Sequence, residues 1–170
     1  MWKLKKSSLF KLYNYWPPFV GASIGIRDIS DDFRHATITL DAKPWNRNPH
    51  GTHYGGSIYS MTDPFYMLML MENLGPNYIL WDKAANIRFK KPGRGTLKAE
   101  FNLSAERIAE IKHLADTQYK VEPEFLVEVK DENGDVVAEV DKILYVRRKD
   151  KKPDPNFKRQ AEQIISPPEL

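Results

Sequence analysis

Residues 55–74 read Gly55-Gly56-Ser57-Ile58-Tyr59-Ser60-Met61-Thr62-Asp63-Pro64-Phe65-Tyr66-Met67-Leu68-Met69-Leu70-Met71-Glu72-Asn73-Leu74, and the stretch is apolar nearly all round. A segment with no polar face reads as a buried helix. Gly75-Pro76-Asn77 stops it, and the chain beyond is mostly β. Residues 78–91 form a long strand whose odd positions, Ile79, Trp81, Ala85, Ile87 and Phe89, are apolar. After a turn at residues 91–95, Leu97, Ala99, Phe101 and Leu103 alternate with Lys98, Glu100 and Asn102. Ser104 is placed to cap a helix over 105–117, where Ile108, Ile111 and Ala115 share one face. Phe125, Val127 and Val129 mark the next strand, and Asn133-Gly134 is a hairpin signal that pairs residues 136–148 back onto it.

Upstream of the helix, residues 20–29 and 34–41 read as two strands around a turn at Asp31-Asp32. Residues 43–54 are loop, rich in Asn, Pro and Gly. The order is therefore two strands, one buried helix, then four strands with a helical insertion, an α+β layout. A lone sheet covers only one side of such a helix. A second copy of the chain is expected to cover the rest.

A chain of 170 residues that is 41% hydrophobic is most simply one domain with a sizeable core. It spans residues 1–148, with a basic, proline-containing tail over 149–170. The absence of cysteine removes disulfides, thiolate catalysis and cysteine metal sites. No stretch approaches the roughly 18 uncharged apolar residues of a membrane span, and the lysines at 3, 5, 6 and 11 break up any leader-like run. A cytoplasmic protein is the expectation. A net charge of +3 is too small to imply nucleic acid. That charge is uneven, because residues 1–16 hold four lysines and no acid. Drawn as a helix, they align Trp2, Leu9, Leu12, Tyr13 and Trp16, with Lys5 intruding. Such a helix packs on its own domain or a neighbouring subunit, or lies on a membrane surface. Pro17-Pro18 ends it.

The chemistry concentrates at the start of the central helix. Gly55-Gly56 allows close approach to the backbone, and helix-start amides carry partial positive charge. Asp63 stands seven residues beyond Gly56. Such amides polarise a carbonyl, while a carboxylate two turns along attacks it or activates a water. The competing reading of Asp63-Pro64 is plain capping of a helix that restarts or kinks there.

Residues 17–148 resemble the hotdog fold, and within it the acyl-CoA thioesterases. Three pieces carry the likeness. Asn46-Arg47-Asn48 through Gly55-Gly56 to Asp63 is similar to the Asn-rich loop, His-Gly-Gly turn and helix carboxylate of the phenylacetate-pathway type. Residues 85–95, from Ala85-Asn86-Ile87 to Pro92-Gly93-Arg94-Gly95, resemble the strand that follows the helix and its closing turn. The hairpin 125–147 is the third. The N-terminal helix and Gly51-Thr52-His53-Tyr54-Gly55-Gly56 further resemble a poorly characterised bacterial branch of tetrameric acyl-CoA thioesterases. One departure is Tyr54, where the motif has a histidine, since tyrosine does not titrate near neutral pH. Pro64, directly after the carboxylate, is the other.

The resemblance implies hydrolysis of an acyl-CoA-type thioester at a subunit interface, by a homodimer or homotetramer that needs no cofactor. Gly55 and Gly56 would polarise the carbonyl, Tyr54 position it, and Asp63 act as general base or nucleophile. Asn46 and Asn48 read as turn formers, one of which, Asn48 being the candidate, would orient the catalytic group or its water, and His53 or His50 would stand in for the motif histidine. Met67 lines an acyl channel. Lys90 and Arg94, with Lys91, hold the CoA phosphates. His50-x-x-His53 lacks the partners of a metal site. The alternative is a non-catalytic acyl-CoA or fatty-acid binding module of the same fold.

Overall fold

The computed structural model describes residue 7 and residues 10–152. Most of the expected N-terminal helix, with Trp2, Lys5 and Leu9, and the tail beyond residue 152 lie outside that range. Within it, a 3-10 turn at Lys11–Tyr15 stops at Trp16, and helix α1 covers Pro17–Ala22. The two prolines therefore open a helix as well as closing a turn. Proline fits the first helical positions because their amides lack intrahelical partners. The first strand is accordingly shorter than the expected 20–29. Strands β1 (Ile24–Ile29) and β2 (His35–Asp41) come next.

The central apolar stretch is two helices, not one: α2 at Gly55–Ser60 and α3 at Phe65–Leu74. Pro64 has no amide hydrogen to continue the ladder, and the chain turns through residues 61–64 before α3 restarts. Nor is α3 buried all round. Phe65, Tyr66, Leu68, Met69, Leu70 and Leu74 are buried, whereas Met71 is 40% exposed.

Strands β3 (Tyr78–Phe89) and β4 (Thr96–Asn102), helix α4 (Ala105–Thr117), and strands β5 (Glu124–Lys130) and β6 (Val136–Arg148) complete the fold. Ser104 caps α4 as expected, its Oγ accepting from the Arg107 amide at 3.1 Å. In the β5–β6 hairpin, Gly134 takes a φ of 87°, which glycine adopts without a Cβ penalty. Asp131 Oδ1 accepts from the amides of Asn133 and Asp135.

The six strands form one antiparallel sheet in the order β1-β2-β4-β5-β6-β3. Its inner face presents Ile38, Leu40, Leu97, Ala99, Phe101, Val127, Val129, Val140, Leu144 and Val146, all fully buried. Phe65 of α3 meets Phe101 of β4 with ring centroids 5.1 Å apart. Fully burying one such side chain is worth about 1.5–3 kcal/mol, so this face of α3 anchors the core. A central helix wrapped by an antiparallel sheet is the hotdog layout. No helix among the described residues is long and apolar enough to cross a membrane.

Strand β3 is a long edge whose middle residues 83–86 are exposed, as are Trp81 and Phe89. Strands β4 and β5 pair only at Lys98↔Lys130 and Ala99↔Val129. Beyond that they part over a hollow of about 790 Å³ that Tyr66 of α3 helps to line. Tyr66 stacks there on Phe125, ring centroids 4.3 Å apart.

Candidate functional site

The loop before α2 is built by its asparagines. Asn46 Oδ1 accepts from the Lys43 amide at 2.8 Å, and its Nδ2 donates to the carbonyls of Ala22 and Asp41. Asn48 Oδ1 accepts from the amides of His50 and Thr52, while Nδ2 donates to Thr52 Oγ1 at 2.8 Å. Both residues shape the turn. The next residue of interest, His53, ties this loop to the turn after β3. Its amide donates to the Gly93 carbonyl at 3.0 Å, and Nε2 lies 2.8 Å from the Gly95 carbonyl. A carbonyl only accepts, so Nε2 carries the hydrogen. Nδ1 is then buried with no hydrogen-bond partner, an unusual position for a ring nitrogen.

This clamp forms a cleft of about 440 Å³, lined among others by Asn48, His53, Gly55, Phe89, Lys90 and Lys91. Five of the residues singled out in the sequence, Asn48, His53, Gly55, Lys90 and Lys91, therefore converge. Gly55 lies against the tip of Phe89: a Cβ there would sit 3.0 Å from Phe89 Cζ. Tyr54, 62% exposed, lies outside the cleft with its ring over Gly56: a Cβ at 56 would come 2.4 Å from Tyr54 Cε1. Met67 is half-buried against the core, and Asp63 does not line the cleft.

The basic turn is already partly neutralised. Lys90 pairs with Glu139 at 3.0 Å, and Lys91 with both Asp131 and Asp135 at 2.6 Å. Those two carboxylates hold the Lys91 ammonium above its usual range. Arg94 makes no ion pair among the described residues.

Asp63 belongs to a second cluster. It sits in the break between α2 and α3 but caps nothing: α3 has Pro64 at its N-cap and no side-chain cap bond. The capping reading is therefore replaced by a different arrangement. Lys142 of β6 donates to the Asp63 carbonyl at 2.6 Å and to Asp63 Oδ1 at 3.1 Å. Its Nζ also lies 2.7 Å from Asp82 Oδ1 of β3. That last contact is an ion pair by distance but not an aligned hydrogen bond, so Asp82 Oδ1 is buried without a hydrogen-bond partner. The Lys142 side chain is fully buried, whereas Asp63 remains 47% exposed. Burial pushes the Asp82 carboxyl up, with Asp63 adding to the shift against the pull of Lys142. Tyr59 packs beside the ammonium, 5.8 Å from ring centroid to Nζ, and burial chiefly raises its hydroxyl.

Sequence reasoning overlooked Lys142. The signal was present, since Ala138, Val140, Lys142, Leu144 and Val146 form one period-2 series on β6 and only the lysine is charged. A charge in an inward apolar series needs partners, because burying it alone costs several kcal/mol. No group of histidines and carboxylates fit for a metal ion occurs among the described residues.

A family described as a domain of unknown function, DUF4442, matches residues 6–146. The chain belongs to that family. No curated protein matches it. Among solved structures, this DUF4442 chain is similar to a Pseudomonas aeruginosa protein of unknown function described as a probable thioesterase. The two share 23% identity and a TM-score of 0.70, over 81% of this chain and 91% of that one. A Haemophilus influenzae thioesterase aligns at 13% identity and a TM-score of 0.62, covering 86% of this chain and 93% of its own. A mutant thioesterase of Pseudomonas aeruginosa aligns at 9% identity and the same TM-score, over 86% and 96%. At these identities the likeness shows a shared hotdog fold.

Proposed function

We propose that the protein hydrolyses an acyl-CoA-type thioester, with Asp63 as general base on water or as nucleophile. One observation carries this reading: Asp63 is held at its carbonyl and one carboxylate oxygen by a buried ammonium, yet its side chain stays half open to solvent. A fixed, accessible carboxylate is what both roles require. As base, it would take a proton from water while the oxygen attacks the thioester carbonyl and the thiolate leaves. As nucleophile, it would attack the thioester carbonyl and expel the thiolate to form an anhydride that water then opens. Amides at Gly55 and Gly56 would stabilise the oxyanion, and Tyr54, lying over Gly56, would position the acyl carbonyl.

Within one protomer the cleft at His53 and the carboxylate of Asp63 are separate. A homodimer joined along the exposed edge β3 would bring one subunit's Asp63 to the other's cleft, and a tetramer would pair two such dimers. The phosphates of CoA would fall to Arg94 first, because Lys90 and Lys91 must release carboxylates to bind them. Met67 would line the acyl channel. The rival reading is a non-catalytic acyl-CoA or fatty-acid binding module, favoured by Tyr54, which stands where the motif has a histidine, and by Pro64.

A panel of acyl-CoA esters with thiol detection separates the two. Turnover by wild type and loss in Asp63→Asn support hydrolysis. Saturable binding of the esters with no thiol release selects the binding module.

A further inference from the structure

Lys142 is the single charged residue on the inward series of β6, and it is fully buried. Such a lysine needs a counter-ion, but the cluster holds two carboxylates for one ammonium. How they share it is informative. The shorter contacts run to Asp82 Oδ1, 2.7 Å, and to the backbone carbonyl of Asp63, 2.6 Å. The Asp63 carboxylate receives the longest of the three, 3.1 Å, through one oxygen only. The carbonyl contact fixes residue 63 at a point where the helical ladder is interrupted. Asp82, the other carboxylate on the ammonium, sits at the register shift of edge strand β3.

We infer that Lys142 is a positioning residue for Asp63: it clamps the backbone and one carboxylate oxygen of Asp63 while sharing its charge with Asp82. Asp63 is thereby oriented by an ammonium that it shares with a second carboxylate, so the pairing compensates it only in part. This inference rests on the assignment of Asp63 as base or nucleophile.

The test compares wild type with Asp63→Asn, Lys142→Met and the double variant Lys142→Met/Asp82→Asn, measuring kcat, KM and Tm with an acyl-CoA ester that wild type cleaves. Lys142→Met should lower kcat about 10- to 100-fold, the usual penalty for a misplaced catalytic group, with KM changed by about twofold or less. It should also lower Tm, because two carboxylates then face a buried methyl thioether. The double variant removes one of those carboxylates and should regain much of the Tm while kcat stays low. Recovery of kcat together with Tm overturns the inference and makes Lys142 a core counter-ion. If Asp63→Asn is inactive while Lys142→Met keeps wild-type kcat, the inference fails and the assignment of Asp63 survives. If wild type cleaves no thioester, or Asp63→Asn still turns over, that assignment falls and the positioning role falls with it.

Discussion

Replacing Asp63 by Asn separates a catalytic carboxylate from a structural one, and the geometry gives a size for each. The substitution removes one charged contact to Lys142, 3.1 Å long, and leaves the ammonium its two shorter ones. A bare pair at that distance, in an effective dielectric near 20, is worth about 5 kcal/mol. The Asp63 carboxylate is 47% exposed, however, and therefore screened by water. Asparagine also keeps an oxygen that accepts from Lys142. The net loss should come down to about 1 kcal/mol, as for exposed pairs. In a chain of this size that lowers Tm by about 2–4 °C. Loss of a general base, in contrast, lowers kcat by about 100- to 10,000-fold. The assay is thiol release under saturating ester, alongside calorimetry of the same preparation. Turnover within about fivefold of wild type refutes the catalytic role, because no general-base contribution is that small. A drop in Tm well beyond about 4 °C with intact turnover makes Asp63 a structural counter-ion.

Other expected outcomes rest on single contacts. Ser104→Ala should cost about 1 kcal/mol, read from urea midpoints, since it removes the side-chain bond at the start of α4. Gly93→Ala should cost about 1–3 kcal/mol in the same assay, because the new Cβ would lie 2.9 Å from Leu97 Cδ1 and 3.2 Å from Val137 Cγ1, both fully buried. Hydrogen bonds from Ser30 and Arg34 hold Asp32 at about 2, below its ordinary 3.8. Its contribution is present above pH 3.8 and is lost as pH falls towards 2, so Asp32→Asn should flatten stability in that window. Arg94→Ser should weaken cleavage of CoA esters and spare simple thioesters lacking the nucleotide; equal losses on both remove the phosphate role. Light scattering should find a dimer or larger, and a stable monomer at micromolar concentration would sink the shared site.

The fold is legible in the sequence where one local signal agrees with the periodicity. Ser104 and the apolar face of 105–117 fix α4 to the residue, and Asn133-Gly134 places the β5–β6 hairpin. Two misreadings both turn on proline. Pro17-Pro18 reads as a stop, although proline is as good a start, and that reading draws residues 20–22 into a strand that begins at Ile24. The apolar run across Pro64 reads as continuous because composition does not record a missing amide. The cleft is half legible: Asn48, His53, Gly55, Lys90 and Lys91 do converge. The partners of His53 and Lys90 lie 40 or more residues away and depend on how β3, β6 and the following turn meet. Lys142 is hidden for the same reason, since its carboxylates come from the helix break and from β3.

The brief meeting of β4 and β5 makes the sheet a pair of leaves, β1-β2-β4 and β5-β6-β3, welded at Ala99 and Val129. Bending stiffness is then uneven. Each leaf resists flexing along its own ladders, while the line between them is compliant. Helix α3 spans that line from within, Phe65 resting on Phe101 of one leaf and Tyr66 on Phe125 of the other. Amides bordering the weld should exchange with solvent ahead of those between β3 and β6, which pair from Tyr78 to Phe89 with one shift between Asp82 and Ala84. Lys142 and Asp82 both belong to the second leaf, so the cluster around Asp63 lies wholly on one side of the weld.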